Sequence, residues 1–370
     1  MSGNPGSRGQ PRSMTAKELL RLLLQGGPGF CQIAVTNACN ASCRFCSFPR
    51  VAPVERVMAD PARLCRGLQV LKDQGVDYLC LTGGEPLLYP ALLPALGRAR
   101  DLGIHTLLCT NGWLLTPASS RALKAAGLET LIISLDAPTA VAHDAHRGLP
   151  GLTEHIREMV PELRRAGLNP VASVTLSRLI GDLREMLRFL EELGFSRVTF
   201  SYPITRLHSS YLGFADHYSV DFTSTELYQW FSRVKELKAT TSLNILNPRL
   251  ALTELQRQLT GRPARFPCLA GYKYWFVDWD LQVFRCHYLN ETLGPLEDLC
   301  HMPPIRNHCN ACVIDCYRDP SVYQYLAVSV ADSLAALRRG QWLKGLGTLL
   351  HPYNFLSLAS LLEGRHWLRG

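Results

Sequence analysis

From Phe30 to Tyr202 the chain alternates short strand-like apolar runs with segments of helical period, and glycine closes most of the helical segments. The strand candidates are Phe30–Thr36, Tyr78–Thr82, His105–Thr110, Thr130–Leu135, Pro170–Leu176 and Arg197–Tyr202. Between them Asp60–Gln74, Ala91–Leu102, Pro117–Ala126, Leu152–Ala166 and Gly181–Leu193 read as helices. Gly75, Gly103, Gly127, Gly167 and Gly194 stand where a left-handed residue ends a helix. Six such units build a partial barrel more naturally than a closed one of eight. The expected class is therefore α/β, a partial (β/α)6 barrel, with ligands at the carboxyl ends of its strands. At 370 residues, 47% hydrophobic and 19% charged, the chain has material for one large domain and a smaller appendage.

Thr36-Asn37-Ala38-Cys39-Asn40-Ala41-Ser42-Cys43-Arg44-Phe45-Cys46 follows the first strand candidate and carries three thiols spaced C-x3-C-x2-C. Soft thiolates on one short loop can hold three irons of a 4Fe-4S cube, which leaves the fourth iron open as a coordination site. A zinc loop or three incidental buried thiols is the plainer alternative. The thirteen cysteines are not spread in pairs, and the start MSGNPGSRGQPRSM is polar, Gly/Pro-rich and expected to be disordered, with no apolar signal segment. These features fit a reducing cytoplasm rather than a secreted disulfide protein. The net charge of +8 is scattered, without a basic run interleaved with aromatics, so nucleic acid is not an expected partner.

The cysteine spacing, with Phe45 just before the third thiol, resembles that of the radical S-adenosylmethionine (SAM) enzymes. That resemblance implies a cluster on Cys39, Cys43 and Cys46, SAM chelating the open iron, and reductive cleavage to a 5'-deoxyadenosyl radical that abstracts hydrogen. Downstream, Gly83-Gly84-Glu85-Pro86 matches the family's GGEP, which binds the SAM amino group. Thr110-Asn111 and Ser134-Leu135-Asp136 resemble positions lining the SAM pocket, although capping the next helix is an equal role for Asn111 and Asp136. His143-Asp144-Ala145-His146-Arg147-Gly148 resembles the family's His and Arg-Gly, with Arg147 either meeting the SAM carboxylate or stabilising a turn.

After Tyr202 the regular alternation stops. Residues 203–222 read as a loop over an active site, Thr223–Ala239 as a helix, Leu243–Leu246 as a short strand, and residues 247–267 as a basic connector, either a solvated linker helix or a segment whose Arg249, Arg257, Arg262 and Arg265 face an anionic substrate. Tyr274–Val277 and Leu281–Phe284 then read as a β-hairpin, with Cys268 before it and Cys286 after it. Cys300 and the run Cys309-x2-Cys312-x3-Cys316 follow. By itself this layout suits structural zinc. Behind a radical SAM core it resembles the twitch and SPASM extensions, which implies one auxiliary 4Fe-4S cluster on Cys268, Cys286, Cys309 and Cys312, with Cys316 as the competing ligand. Cys31, Cys65, Cys80 and Cys109 look like small core residues.

The expected organisation is a flexible start and short helix over residues 1–29, a barrel over 30–240, a connector over 241–267, a cluster extension over 268–320 and a helical tail over 321–370. The expected activity is radical attack on a small-molecule or lipid-like substrate, with electrons from a donor such as flavodoxin or ferredoxin. A SPASM-type peptide maturase and a non-enzymatic zinc or iron-sulfur scaffold are the alternatives. The last cysteines, with the acidic residue, proline and apolar tail behind them, also resemble the adenosylhopane synthase type, which implies adenosylation of a lipid. In the tail, Trp342, Leu343, Leu346, Leu349 and Leu350 recur at helical spacing, and Phe355, Leu356, Leu358, Ala359, Leu361 and Leu362 form a second apolar group. Both groups are too short to span a bilayer. With Arg338, Arg339, Lys344, Arg365 and Arg369 outnumbering Asp332 and Glu363, they read as helices lying on an anionic membrane, as core packed back on the barrel or as a dimer contact.

Overall fold

The computed structural model describes residues 16–48, 51–203, 218–289 and 291–363, with side chains from residue 20 onward. The expected polar N-terminus, most of the expected loop over 203–222, and Arg365 and Arg369 lie outside the described residues. In chain order the elements are α1 (Ala16–Leu24), β1 (Gly29–Ala34), α2 (Pro61–Asp73), β2 (Val76–Thr82), α3 (Leu92–Asp101), β3 (His105–Thr110) and α4 (Pro117–Ala126). Next come β4 (Thr130–Ser134), α5 (Ala140–Arg147), α6 (Leu152–Arg165), β5 (Val171–Thr175), α7 (Leu183–Glu192), β6 (Arg197–Ser201) and α8 (Ser224–Leu237). The rest are β7 (Asn244–Ile245), α9 (Arg249–Leu259), β8 (Tyr274–Val277), β9 (Gln282–Phe284), β10 (Thr292–Pro295), α10 (Asp315–Arg338), α11 (Trp342–Leu349) and α12 (Pro352–Glu363). All six expected strands and all five expected helices of the α/β alternation are present.

The strands form one sheet in the order β10-β9-β8-β1-β2-β3-β4-β5-β6-β7, parallel from β8 through β1 to β7. Strand periodicity of two sorts its side chains between the faces. Ile33, Leu79, Leu81, Leu108, Ile133, Val174 and Phe200 join the helices' Leu68, Leu96, Ile156 and Leu190 in one buried core. The alternate residues Cys80, Cys109, Ser134, Ser173 and Ser201 point to the other face and are small or polar, and Ser173 Oγ lies 3.4 Å from Ser201 Oγ.

Three stretches differ from the sequence reading. The helix α5 was not anticipated as one; Thr139 caps it, its side chain accepting from Ala142 N, and Gly148 ends it at φ 64°. In residues 241–267 the expected short strand is present as β7 on the edge of the sheet and the linker helix as α9, but α9 is not solvated, since its Leu252 and Leu255 are fully buried. The basic composition misleads there because Glu254, itself buried, pairs with Arg265 and Arg257 and removes their need for water. The hairpin β8–β9 is not a separate appendage, since β8 pairs with β1 in register Phe30 to Tyr274 and extends the same sheet. Leu296 then seats over Gly67 of α2, where a Cβ would lie 2.3 Å from Leu296 Cδ2.

The described residues divide into two compact units, one from Pro28 to Val322 and one made of those up to Gly27 with those from Tyr323 onward. In the second unit α11 and α12 form the tail, and no described helix is long and apolar enough to cross a membrane. Leu255→Ala is expected to destabilise the fold by about 2–5 kcal/mol, read from the urea midpoint. A solvated helix would lose less than about 0.5 kcal/mol.

Candidate functional site

The cysteine loop leaves β1 and is fixed by its own polar residues. Thr36 Oγ1 donates to Val57 O at 2.8 Å and accepts from Ala38 N, while Asn37 brackets the next strand of chain through Glu55 O and Val57 N. Against this loop lies the segment after β2. Gly84 N donates to Thr36 O and Glu85 N to Ala38 O, each at 2.8 Å. A Cβ on Gly83, at φ 133°, would fall 2.3 Å from Thr36 O, and one on Gly84 would fall 2.1 Å from Ala38 O. The two glycines thus admit the backbone of the cysteine loop itself, rather than leaving open space for a ligand at their Cα atoms.

Glu85 is buried, and its carboxylate accepts from Thr110 Oγ1 at 2.8 Å, Asn111 N at 2.8 Å and Leu87 N at 3.0 Å. Burial raises its pKa, and these bonds oppose the rise. Asn111 also reaches the cysteine loop, donating from Nδ2 to Asn40 Oδ1 at 2.8 Å. Pro86 is buried behind the carboxylate. On the opposite side Ser42 N donates to Arg147 O at 2.7 Å, and the Arg147 guanidinium pairs with fully buried Asp136 at 2.5 Å. Burial by itself would raise Asp136, but Arg147, with His146 and His143, outweighs it and holds the carboxyl below its usual range. Asp136 N donates to His143 Nδ1 at 3.2 Å, and burial pushes His143 down to about 4, so that ring is neutral. Phe45 stacks on His146 with ring centroids 4.5 Å apart.

Cys39, Cys43 and Cys46 are electrostatic neighbours of one another and of Arg147. Burial lifts Cys39 to about 11 and Cys46 to about 12, while Arg147 pulls Cys43 back. Three nearly desolvated thiols beside a fixed cation suit a bound metal cluster, which takes thiolates and displaces their protons. The hairpin completes this environment. Phe48 meets Trp279 at 6.0 Å between ring centroids, and Cys39 and Cys46 pack against the group of Ala34, Phe48, Phe276, Trp279 and Phe284.

The second cysteine group divides. Cys268 is an electrostatic neighbour of Cys309, Arg318 and Arg285, Cys286 of Cys268, and Cys312 of Cys268 and Cys286. Arg318 Nη1 donates to Cys309 O at 3.3 Å. Cys316 faces elsewhere: its charged neighbours are Asp315, Cys109 and Asp319. A helix explains the separation, since α10 begins at Asp315 and turns Cys316 toward the ends of β2 and β3. Cys80 Sγ and Cys109 Sγ, read as core, lie 3.5 Å apart there. Cys300 is exposed. Among the described residues no three His, Cys, Asp or Glu side chains are close enough to share a single metal ion. A cube sets each thiol on a different iron, so its ligands need not converge on one point.

Sequence reasoning missed Thr36, Asn37 and Asn40, whose partners lie outside the loop and leave no local signal. It also missed Asp315 and Asp319. Tyr202 Oη donates to Asp319 Oδ2 and Asn247 Nδ2 to the same oxygen, both at 3.1 Å, at the ends of β6 and β7. Burial lifts Asp319 to about 8 and Asp315 to about 6.

Residues 33–193 match the radical SAM superfamily. That stretch is a radical SAM domain, and the chain that carries it is an enzyme. It is 26% identical over 295 residues to the AdoMet-dependent heme synthase of Nitratidesulfovibrio vulgaris, covering 74% of this chain and 78% of that relative. The AdoMet-dependent heme synthase of Methanosarcina barkeri is 29% identical over 279 residues, covering 71% of this chain and 78% of that relative. In fold, the enzyme is similar to Streptococcus suis SuiB bound to S-adenosylmethionine, with a TM-score of 0.56 and 17% identity. That match covers 73% of this chain, which spans 63% of the SuiB chain. A radical SAM enzyme uses SAM and a 4Fe-4S cluster, and the C-x3-C-x2-C loop lies within the matched residues.

Two outcomes test the site. Gly84→Ala must displace the Ala38 carbonyl, and SAM cleavage is expected to fall at least about tenfold, equivalent to a change of ~1.4 kcal/mol in barrier. The buried acids give a pH signature. Their folded pKa values are raised, so the unfolded chain binds fewer protons, and stability falls as pH rises from about 4 to about 8. Asp319→Asn is expected to flatten that fall, measured as the melting temperature across the same window.

Proposed function

We propose that this radical SAM enzyme attacks a small molecule held at the carboxyl ends of the parallel strands, using one cluster on Cys39, Cys43 and Cys46 and a second on Cys268, Cys286, Cys309 and Cys312. When bound, the first cluster and SAM supply a 5'-deoxyadenosyl radical by one-electron reductive cleavage. The residues around it do the positioning. Glu85 carries the reading: a carboxylate offers about four acceptor sites, its three donors leave one for an ammonium group, and a buried charge favours such a partner. Thr110 and Asn111 hold Glu85 in place rather than meeting SAM themselves. Arg147 keeps its charge beside Cys43 and favours the thiolate, with Asp136 as its counterion. Ser134, Ser173 and Ser201 line the face on which the substrate and the adenosine would lie, and Ser134 can hydrogen-bond a ribose hydroxyl.

The two heme synthases support a small-molecule substrate, since heme is a small macrocycle and the likeness extends over most of both relatives. A peptide substrate, the alternative, has behind it the SuiB fold and 28% identity over 195 residues to the PqqA peptide cyclase of Ruegeria pomeroyi, a likeness that covers 52% of this chain against 74% and 71% for the two heme synthases. The second cluster would accept an electron from the substrate radical or ligate the substrate. A flavodoxin- or ferredoxin-type donor in a reducing compartment would supply the first electron.

The test is anaerobic reconstitution with dithionite. Wild type is expected to form 5'-deoxyadenosine, and Cys43→Ala to form none. A triple Cys39/Cys43/Cys46→Ala variant is expected to keep roughly one 4Fe-4S cluster, by the ligand count of cysteine-ligated cubes. In that background Cys312→Ala should lose the remaining iron and Cys316→Ala should retain it. Iron lost only with Cys316→Ala would overturn the ligand set.

A further inference from the structure

The tail helices are built inside out. In α12 the buried residues are Asn354, Ser357 and Ser360, and in α11 the buried residue is Gly345. Ser357 Oγ donates to Tyr323 O and accepts from Leu326 N, each at 3.2 Å, and Ser333 Oγ donates to Gly345 O at 2.8 Å. Asn354 Nδ2 donates to Thr348 O and Leu349 O at 2.9 and 2.8 Å. The polar and small residues therefore hold the helices to α10 and to each other. The large apolar ones face out: Leu343 is 90% exposed, Leu350 67%, Phe355 66% and Trp342 65%. A water-exposed helix has the opposite arrangement. Isolated exposed leucines are ordinary, but a continuous apolar exterior over two helices with a polar interior marks a surface that meets something apolar.

We propose that this outer face lies on an anionic lipid bilayer. Charge selects the occupant. Arg338, Arg339 and Lys344 are exposed beside the apolar face, and the sequence holds no Asp or Glu from Ser333 to Leu362. A two-fold dimer through this face would set the same basic patch against itself, with only Asp332 and Glu363 at the two ends of the stretch to answer three bases. An anionic headgroup layer supplies both the negative charge and the apolar phase beneath it. Length selects the mode. At 1.5 Å per residue, the 8 residues of α11 and the 12 of α12 fall well short of a hydrocarbon core of about 30 Å, so the helices lie on the membrane rather than cross it.

The experiment is co-sedimentation of the full-length reconstituted enzyme with vesicles, and SAM cleavage is measured on the same samples. Binding is expected to vesicles of phosphatidylcholine with phosphatidylglycerol, and to weaken at least about tenfold on phosphatidylcholine alone or in high salt, as three basic residues near a surface require. Leu343→Glu/Leu350→Glu/Phe355→Glu is expected to abolish sedimentation while SAM cleavage is unchanged, because none of these residues belongs to the cluster site. Trp342 emission should shift to the blue on binding, a change absent in Trp342→Phe. The proposal is overturned if wild type stays in the supernatant with anionic vesicles or if the triple variant sediments as well as wild type. It is also overturned if light scattering shows a dimer that the triple variant splits, which would make the face homotypic. Loss of SAM cleavage with vesicle binding intact would instead count against the proposed radical chemistry.

Discussion

The site depends on two backbone segments lying against each other with no side chain between them. Gly83 and Gly84 bring the chain after β2 so near the cysteine loop that a single Cβ on either would overlap a carbonyl oxygen, and two hydrogen bonds of 2.8 Å close the contact. Each segment continues from a neighbouring strand of one parallel pair, so the register of β1 on β2 sets where the thiols stand relative to Glu85. Rigid strands carry the positions, and the loops inherit them.

Around that contact the structure keeps three fixed charges out of water. Glu85 is satisfied by Thr110 and two backbone N–H groups, and Asp136 is the counterion of Arg147. Buried ions are costly unless they are paired or hydrogen-bonded: Asp136 and Arg147 pair with each other, and Glu85 is hydrogen-bonded. One sits beside Cys39 and one beside Cys43. The thiols therefore lie between a carboxylate that can meet an ammonium group and a guanidinium that favours thiolate.

The second cysteine group and the tail show how a helix redirects residues that are neighbours in sequence. Cys312 stays with Cys268 and Cys286, whereas Cys316, just inside α10, turns toward Cys109 and the buried pair Asp315 and Asp319. Further along the chain, Ser357 and Ser360 of α12 turn inward and Phe355, Leu358 and Leu362 outward.

The sequence by itself determined the β/α alternation, the C-x3-C-x2-C loop and the GGEP segment, because strand period, glycine-ended helices and thiol spacing are local. The amphipathic repeat of the tail was legible for the same reason, but not which way it faced. Only the tertiary structure decided that Asp136 answers Arg147, that Thr110 and Asn111 hold Glu85, and that residues 241–267 join the core. It also placed the hairpin on β1, with Trp279 over the cluster loop, and set Cys316 apart from Cys312. These are contacts between residues far apart in the chain, where burial and pairing, not local period, choose the partner. A sequence pattern fixes which side of an element is apolar; what that side meets depends on elements it does not contain.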